Sequence, residues 1–329
     1  MEYPIPAKST RALEWLIKEK KSPLNPGLIF DRFSPILRKN DDTIKHNALV
    51  TVRDSAGLVE EKLLAEWNTR WERLVATAGA KDFELQTDWR LIAGLGRKGS
   101  LEVGFTFHRY GFPYLPGSSL KGLARAYGLL EIAEAVGGDA LKKVDNDKPL
   151  TKLDEALSQA KEKEFKDAIK NYGANQGSPA LEMAEAFRCL LGTTEQAGKA
   201  IFFDAIPKFV PALELDIMNP HYPDYYKEGS KEYPTNWQSP NPIKFLTVAS
   251  GTVFRFAIGW RSSPEDSKDN SEKKQQPQTW SWFKGARIKQ IAPENHPRMQ
   301  KLARRWLEGG LLDLGAGGKT SAGYGYFKE

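Results

Sequence analysis

LGAGGKTSAGYGYF, residues 314–327, is the stretch on which the reading of the fold turns. Gly315, Gly317, Gly318, Gly323 and Gly325 surround Lys319, Thr320 and Ser321. Glycine accepts positive φ and carries no side-chain bulk, so such a loop can turn backbone N–H groups toward an anion. The likeness to a nucleotide phosphate loop stops at Gly318-Lys319-Thr320. The pattern G-x-x-x-x-G-K-[ST] needs glycine where Asp313 stands, and a long helix where residues 324–327 read as a strand. A nucleotide hydrolase of that kind is excluded. A ribose-phosphate polymer suits a glycine-rich loop feeding a last strand; the plain alternative is a glycine-rich turn with no ligand.

Working outward from this loop, Met299, Leu302, Trp306 and Leu307 recur at helical spacing, so residues 297–308 are expected to be a helix stopped by Gly309 and Gly310. Phe254, Phe256, Ile258 and Trp260 alternate along a strand over 252–260, and 244–248 reads as another. Residues 199–206 and 83–92 read as strands, as do 101–107 and 27–33. SSLKGLARAYGLLEIAEA (118–135) is a helix, with Ser118 or Ser119 able to cap its first turn. Further helices are expected over 9–20, 58–78, 151–172 and 179–191. Residues 38–53 alternate basic and polar side chains and read as a solvated loop. Residues 137–177 read as a polar insertion on the surface, and 262–278 as a linker. Without insertions the order is βαββαβ, over 83–92, 118–135, 199–206, 252–260, 297–308 and 324–328. The fold class is therefore α+β: a modified ferredoxin-like, RRM-like core with large helical and loop insertions. Residues 1–80 form an N-terminal helical and loop region packed on a core over 81–329, with insertions at 137–197 and 261–280.

The 329 residues are 40% hydrophobic and 27% charged, which suits a packed globular protein. No apolar run approaches the roughly 20 residues that span a bilayer, and residues 1–21 hold no apolar signal core, so a cytoplasmic location is expected. Cys189 is the only cysteine, and His46, His108, His221 and His296 lack ligand spacing; no metal and no cofactor are expected. A net charge of +6 favours polyanion partners. Lys121 and Arg125 lie four apart near the start of a helix, where two cations repel unless an anion sits between them. Arg97 and Lys98 lie in a second glycine-rich loop, GLGRKGS (94–100). MNPHYPDYY (218–226) offers aromatics that either stack on unpaired bases or pack on their own domain. Asp204 reads as structural, capping a turn or meeting a basic residue.

With LPGSSLKGLARA (115–126) on its first core helix and GAGGKTSAGYG (315–325) before its last strand, the chain resembles the RAMP superfamily of CRISPR proteins. Residues 94–127, 187–207, 218–226 and 242–258 make it most similar to the sixth-subunit family of Cmr (type III-B) effector complexes. The resemblance implies a non-catalytic subunit that holds a CRISPR guide RNA near its 3′ end and caps a backbone filament. It also implies partners: guide RNA, complementary target RNA, the terminal backbone subunit, the small helical subunit and the first Cmr subunit. None of Asp31, Asp41 and Asp42 stands in a context matching the aspartate that cleaves target RNA in the related backbone subunits. Base pairing would read sequence, leaving the protein to grip phosphate and sugar. The residues expected to do so are Ser118, Ser119, Lys121 and Arg125 facing Gly315, Gly317, Gly318, Lys319 and Thr320 across one groove. Arg97 and Lys98, and the Lys45, His46 and Arg53 segment, would extend it. Two other classes compete: a metal-independent endoribonuclease using His46 or His108, and a purely structural bridging subunit.

Overall fold

The computed structural model describes residues 2–19, 24–37, 42–97, 99, 101, 103–219, 222, 225, 229, 231, 233–235, 242–261 and 296–329. Helices and strands are mixed, in the α+β manner expected. Ten α-helices and seven strands are described: α1 Ala7–Glu19, α2 Pro26–Asp31, α3 Asp42–Ala56, α4 Glu61–Thr77, β1 Lys81–Thr87, α5 Gly117–Val136, α6 Gly138–Val144, α7 Pro149–Leu157, α8 Glu162–Lys170, α9 Pro179–Leu191, β2 Ala200–Phe202, β3 Ile206–Pro207, β4 Leu213–Met218, β5 Ile243–Val248, β6 Val253–Trp260, α10 His296–Gly309 and β7 Phe327–Lys328.

Alternating burial builds the main sheet. β6 turns Phe254, Phe256, Ile258 and Trp260 into the core, and Phe256 stacks on Phe83 of β1 with ring centres 5.3 Å apart. The strand order is β2-β6-β1-β7, with β3 also on β6, and every pairing is antiparallel. α5, α9 and α10 supply Leu120, Ala124, Phe187, Ala303 and Trp306 to the core on that face. The other face carries Ala257, under Leu64, Trp71 and Val75 of α4. β4 and β5 form a separate hairpin, tied to the segment after β1 by a bridge between Leu91 and Val248.

Several expectations fail, each for a local reason. The strand over 27–33 is instead α2: Asn25 accepts the Leu28 N–H at 3.1 Å and Pro26 opens the helix, so Asn-Pro is a cap rather than a breaker. The solvated loop over 38–53 is instead α3, from residue 42, with Ala48, Leu49, Val52 and Ala56 in the core beneath its basic residues. Among the described residues of 101–107 no strand forms, and only Phe107 makes an isolated bridge, with Pro113. Gly104 and Thr106 donate to the carbonyls of Leu95 and Ala93 without making a ladder. The last strand is only β7, and the helix over 151–172 is broken into α7 and α8. The insertion is less superficial than expected, because Leu153, Leu157, Phe165 and Ile169 are fully buried in the main core. α10 ends at Gly309 as expected, but the chain stays helical there, continuing as a π turn, Gly310–Leu314, to Gly315 at φ 76°. Gly309 and Gly310 allow close packing, since a Cβ at Gly309 would sit 2.2 Å from the Tyr127 ring. The MNPHYPDYY segment lies mostly, and the 262–278 linker wholly, outside the described residues.

Candidate nucleic-acid interface

α5 begins one residue before the expected caps. Neither Ser118 nor Ser119 caps it; Asp204, between β2 and β3, accepts the Gly117 N–H at 2.7 Å. Asp204 is thus structural, as read, and sets a carboxylate against the positive end of the helix. From that start α5 lies beside the tail. A cavity of about 420 Å³ is lined by Ser119, Gly122, Leu123 and Ala126 of α5, by Gly315, Ala316 and Gly317, and by Gly94 and Thr106. The glycine-rich tail and the first turns of the helix therefore do meet.

The crest of α5 above this cavity is made of small exposed residues: Ser118, Ser119, Gly122 and Ala126. Its other glycines have packing reasons. A Cβ on Gly117 would lie 2.1 Å from the Phe202 carbonyl oxygen, and one on Gly128 would lie 2.9 Å from Trp306. A Cβ on Gly122 would meet nothing within 4 Å. A glycine inside a helix costs about 1 kcal/mol relative to alanine, and the described residues give Gly122 no compensating contact.

Lys121 and Arg125 flank the crest on the side turned from the cavity, so they do not face the tail across one groove as expected. At 3.6 residues per turn, Lys121 lies roughly 160° round the axis from Ser119. Arg125 answers its like-charged neighbour with a carboxylate of the chain itself: its Nη2 meets Asp154 at 2.6 Å and Ser158 at 2.9 Å, and its guanidinium lies 4.8 Å from the Phe187 ring centre. Lys121 has no ion pair among the described residues. Burial, then Arg125, then Arg261 push its pKa below the ordinary lysine range.

The tail's glycines serve packing more than anion binding. A Cβ on Gly317 would lie 2.2 Å from the Ile92 carbonyl oxygen, and one on Gly325 would lie 1.9 Å from that of Ala316. The N–H groups of Gly315, Ala316 and Gly318 donate to the carbonyls of Gly310, Gly325 and Ile92. The expectation that the whole loop turns its amides outward therefore fails for these three. Lys319 is different: among the described residues it is the only non-glycine with positive φ, at 59° and in the left-handed region. It stands at the head of a short 3₁₀ turn, Thr320–Ala322, between the anchored Gly318 and Tyr324. Thr320 packs its methyl toward Gly315.

The remaining candidates lie elsewhere. Arg97 folds back, donating from Nη1 to the Phe105 carbonyl at 3.0 Å, on the turn that begins at the cavity-lining Gly94. Lys98 lies outside the described residues. Lys45, His46 and Arg53 sit on α3, which packs on α2 and the β4–β5 hairpin; none lines the cavity, Lys45 is buried, and Arg53 pairs with Asp54 at 2.7 Å. His108 stacks on Phe112 at 4.5 Å with Trp67 and Tyr110 around it. Burial and then Arg109 lower its pKa to about 4 against the pull of Asp204, so it is neutral at pH 7. Asp31 ends α2, Asp42 opens α3, and Asp41 is outside the described residues. Sequence reading passed over Gly122, whose signal was an unexplained glycine in a helical stripe, and Arg261, a lone residue at the end of β6. A second cavity, about 390 Å³ between α9 and α10, holds none of the expected residues.

Comparisons with known proteins give the family. The RAMP superfamily model matches residues 82–328. Cmr6 of Pyrococcus furiosus, a CRISPR system Cmr subunit, is 30% identical over 342 residues, covering 98% of this chain and 86% of that protein. The crystal structure of Cmr6 from Pyrococcus furiosus is 29% identical with a TM-score of 0.44, covering 76% of this chain and 97% of that one. A chain of a type III-B Cmr-beta complex bound to cognate target RNA is 17% identical with a TM-score of 0.48, covering 95% and 93%. With a family model matched over residues 82–328 and a relative 30% identical across 98% of its length, the chain belongs to the RAMP superfamily.

Proposed function

We propose that this chain is a non-catalytic, RNA-binding subunit of a type III-B CRISPR (Cmr) ribonucleoprotein effector. It grips guide RNA near its 3′ end and caps the backbone filament while the complex binds complementary target RNA in the cytoplasm. Its neighbours are the terminal backbone subunit, the small helical subunit and the first Cmr subunit. Kinship with Pyrococcus furiosus Cmr6 supports the assignment to such a complex. The order β2-β6-β1-β7, with α5 and α10 as the two crossovers, supports a modified ferredoxin-like core.

The observation that carries RNA gripping is the crest of α5, where an open glycine lies between the tail on one side and, on the other, Lys121, which has no ion pair among the described residues. A ribose-phosphate chain crossing there approaches the helix backbone at Gly122 and meets Lys319 and Lys121 on either flank. Sugar and phosphate are gripped without reading bases, as a guide-holding protein requires. The placement of the histidines favours a non-catalytic role: His108 is enclosed by aromatic rings and His46 lies off the cavity.

The test is binding of a labelled single-stranded RNA to the full chain, comparing wild type with Lys121→Ala/Lys319→Ala across salt concentrations. The expected result is a loss on the order of tenfold or more, and a salt slope flatter by roughly 0.7 per cation removed. Unchanged affinity and slope in a folded double variant would sink the reading. Unchanged assembly with the other subunits alongside that result would favour the bridging role.

A further inference from the structure

Arg90, Glu214, Asp216 and Tyr324 form a cluster outside the cavity, between the β4–β5 hairpin and the tail. Asp216 Oδ2 accepts from Arg90 Nη1 at 2.6 Å and from the Tyr324 hydroxyl at 2.6 Å, while its Oδ1 accepts the Ile217 N–H at 2.8 Å. Arg90 Nε donates to Glu214 at 2.5 Å, and the Arg90 carbonyl accepts the Gly325 N–H at 2.9 Å. The Tyr324 ring lies edge-on to Phe245 of β5, 6.1 Å between centres. Each partner is thus held from more than one side, with no carboxylate oxygen of Asp216 left over.

The placement of this cluster along the tail gives it a purpose. One foot of the 319–323 arch is Gly318, whose N–H donates to the Ile92 carbonyl at 3.0 Å. The other is Tyr324, whose N–H reaches back to the Lys319 carbonyl at 3.4 Å and whose hydroxyl is fixed by Asp216. Between the feet Lys319 is kept in a left-handed conformation that an unrestrained lysine avoids. Such a conformation persists only where the surroundings over-determine it. Backbone bonds hold Gly318 to Ile92 and Gly325 to Arg90, while Tyr324 itself has a long backbone bond at 3.4 Å and the side-chain bond to Asp216.

We infer that Arg90, Asp216 and Tyr324 are positioning residues for RNA, clamping the second foot of the arch so that Lys319 is presented to a phosphodiester. This rests on the RNA-gripping reading above. The hairpin, which lines no part of the cavity, thereby becomes a determinant of affinity at the tail. Burial and the Asp216 hydrogen bond push the Tyr324 phenol up to about 12, so the donor hydroxyl is intact throughout the physiological range. Burial raises the Asp216 carboxyl, but the hydrogen bonds from Tyr324, the Ile217 N–H and Arg90 together outweigh it and hold it below its usual range, so the acceptor stays ionised there.

The experiment is a double-mutant cycle on the full chain, with labelled single-stranded RNA as probe and thermal melting to confirm folding. Its arms are Tyr324→Phe, Lys319→Ala and the two together, with Asp216→Asn as a second way to break the clamp. Lys319→Ala is expected to weaken binding on the order of tenfold, and Tyr324→Phe roughly fivefold, as a charge-assisted hydrogen bond is lost. The combined variant should bind no more weakly than Lys319→Ala alone, because the clamp acts only through that lysine. A general structural effect would instead make the losses multiply, which overturns the proposal. A loss in Lys319→Ala with none in Tyr324→Phe or Asp216→Asn overturns the clamp and leaves RNA gripping standing. No loss in Lys319→Ala overturns the clamp, and the Lys121→Ala/Lys319→Ala variant then decides the gripping reading separately.

Discussion

Replacing Gly122 by alanine should make the protein more stable and its grip on RNA weaker. α5 is a regular helix over Gly117–Val136 and Gly122 lies in its interior, where glycine costs about 0.5–1 kcal/mol relative to alanine. The added Cβ finds nothing within 4 Å, so no steric loss offsets the gain in propensity. The full 0.5–1 kcal/mol should appear, a rise in Tm of roughly 0.7–1.4 °C for a chain of 329 residues. Gly128→Ala in the same helix is the internal control: its Cβ would press on the buried Trp306 ring at 2.9 Å, and overpacking of that kind costs about 1–3 kcal/mol. Opposite signs within one helix would establish that the crest is open in the free chain. Affinity is read separately, by titrating labelled single-stranded RNA at fixed salt. A methyl group where the sugar-phosphate chain crosses should weaken binding several-fold, and Gly122→Glu should do more, with a salt dependence of its own. A stabilised Gly122→Ala protein that binds RNA as wild type does, together with a Gly122→Glu variant that also does, would refute the crossing at this crest.

Two further outcomes concern stability. Glu185 of α9 is buried, and burial is the main cause lifting its carboxyl from 4.5 to about 7. A raised folded-state pKa means that stability is fully present below about pH 4.5 and is lost as pH rises toward 7, a difference of about 3 kcal/mol. Glu185→Gln should therefore be more stable than wild type at pH 8 and match it near pH 4, measured by denaturant unfolding. Asp204→Ala removes the acceptor for the first amide of α5 and should cost about 1–2 kcal/mol, with Asp204→Asn recovering much of it; equal stability of all three would refute the capping role.

Long, strongly patterned segments were legible in the sequence, and short ones governed by a single polar contact were not. β6 declared itself by strict alternation, and α5, α9 and α10 by stripes of three and four. α2 was hidden because Asn25-Pro26 has two local meanings, and only the side-chain bond to the Leu28 amide decides between them. α3 was hidden because Lys45, His46 and Arg53 interrupt a stripe that Ala48, Leu49 and Val52 complete only when packed on α2 and the hairpin. In the candidate site, the meeting of α5 with the tail was legible because each motif stands at the end of a core element. The partner of Arg125 was not: Asp154 comes from an insertion whose docking no local pattern reveals. The tail's glycines were correctly singled out but for the wrong reason in part, since a backbone carbonyl can demand glycine as firmly as a ligand can.

Arg125 reaches out to α7, and Arg188 of α9 donates to the carbonyls of Leu157 and Gln159 at its end. The inserted helices are therefore not a removable appendage. Excising them to shorten the protein would strand two guanidinium groups and bare the aromatic rings beneath, Phe187 among them. A minimal version of this subunit must keep its middle, and trimming is better begun elsewhere.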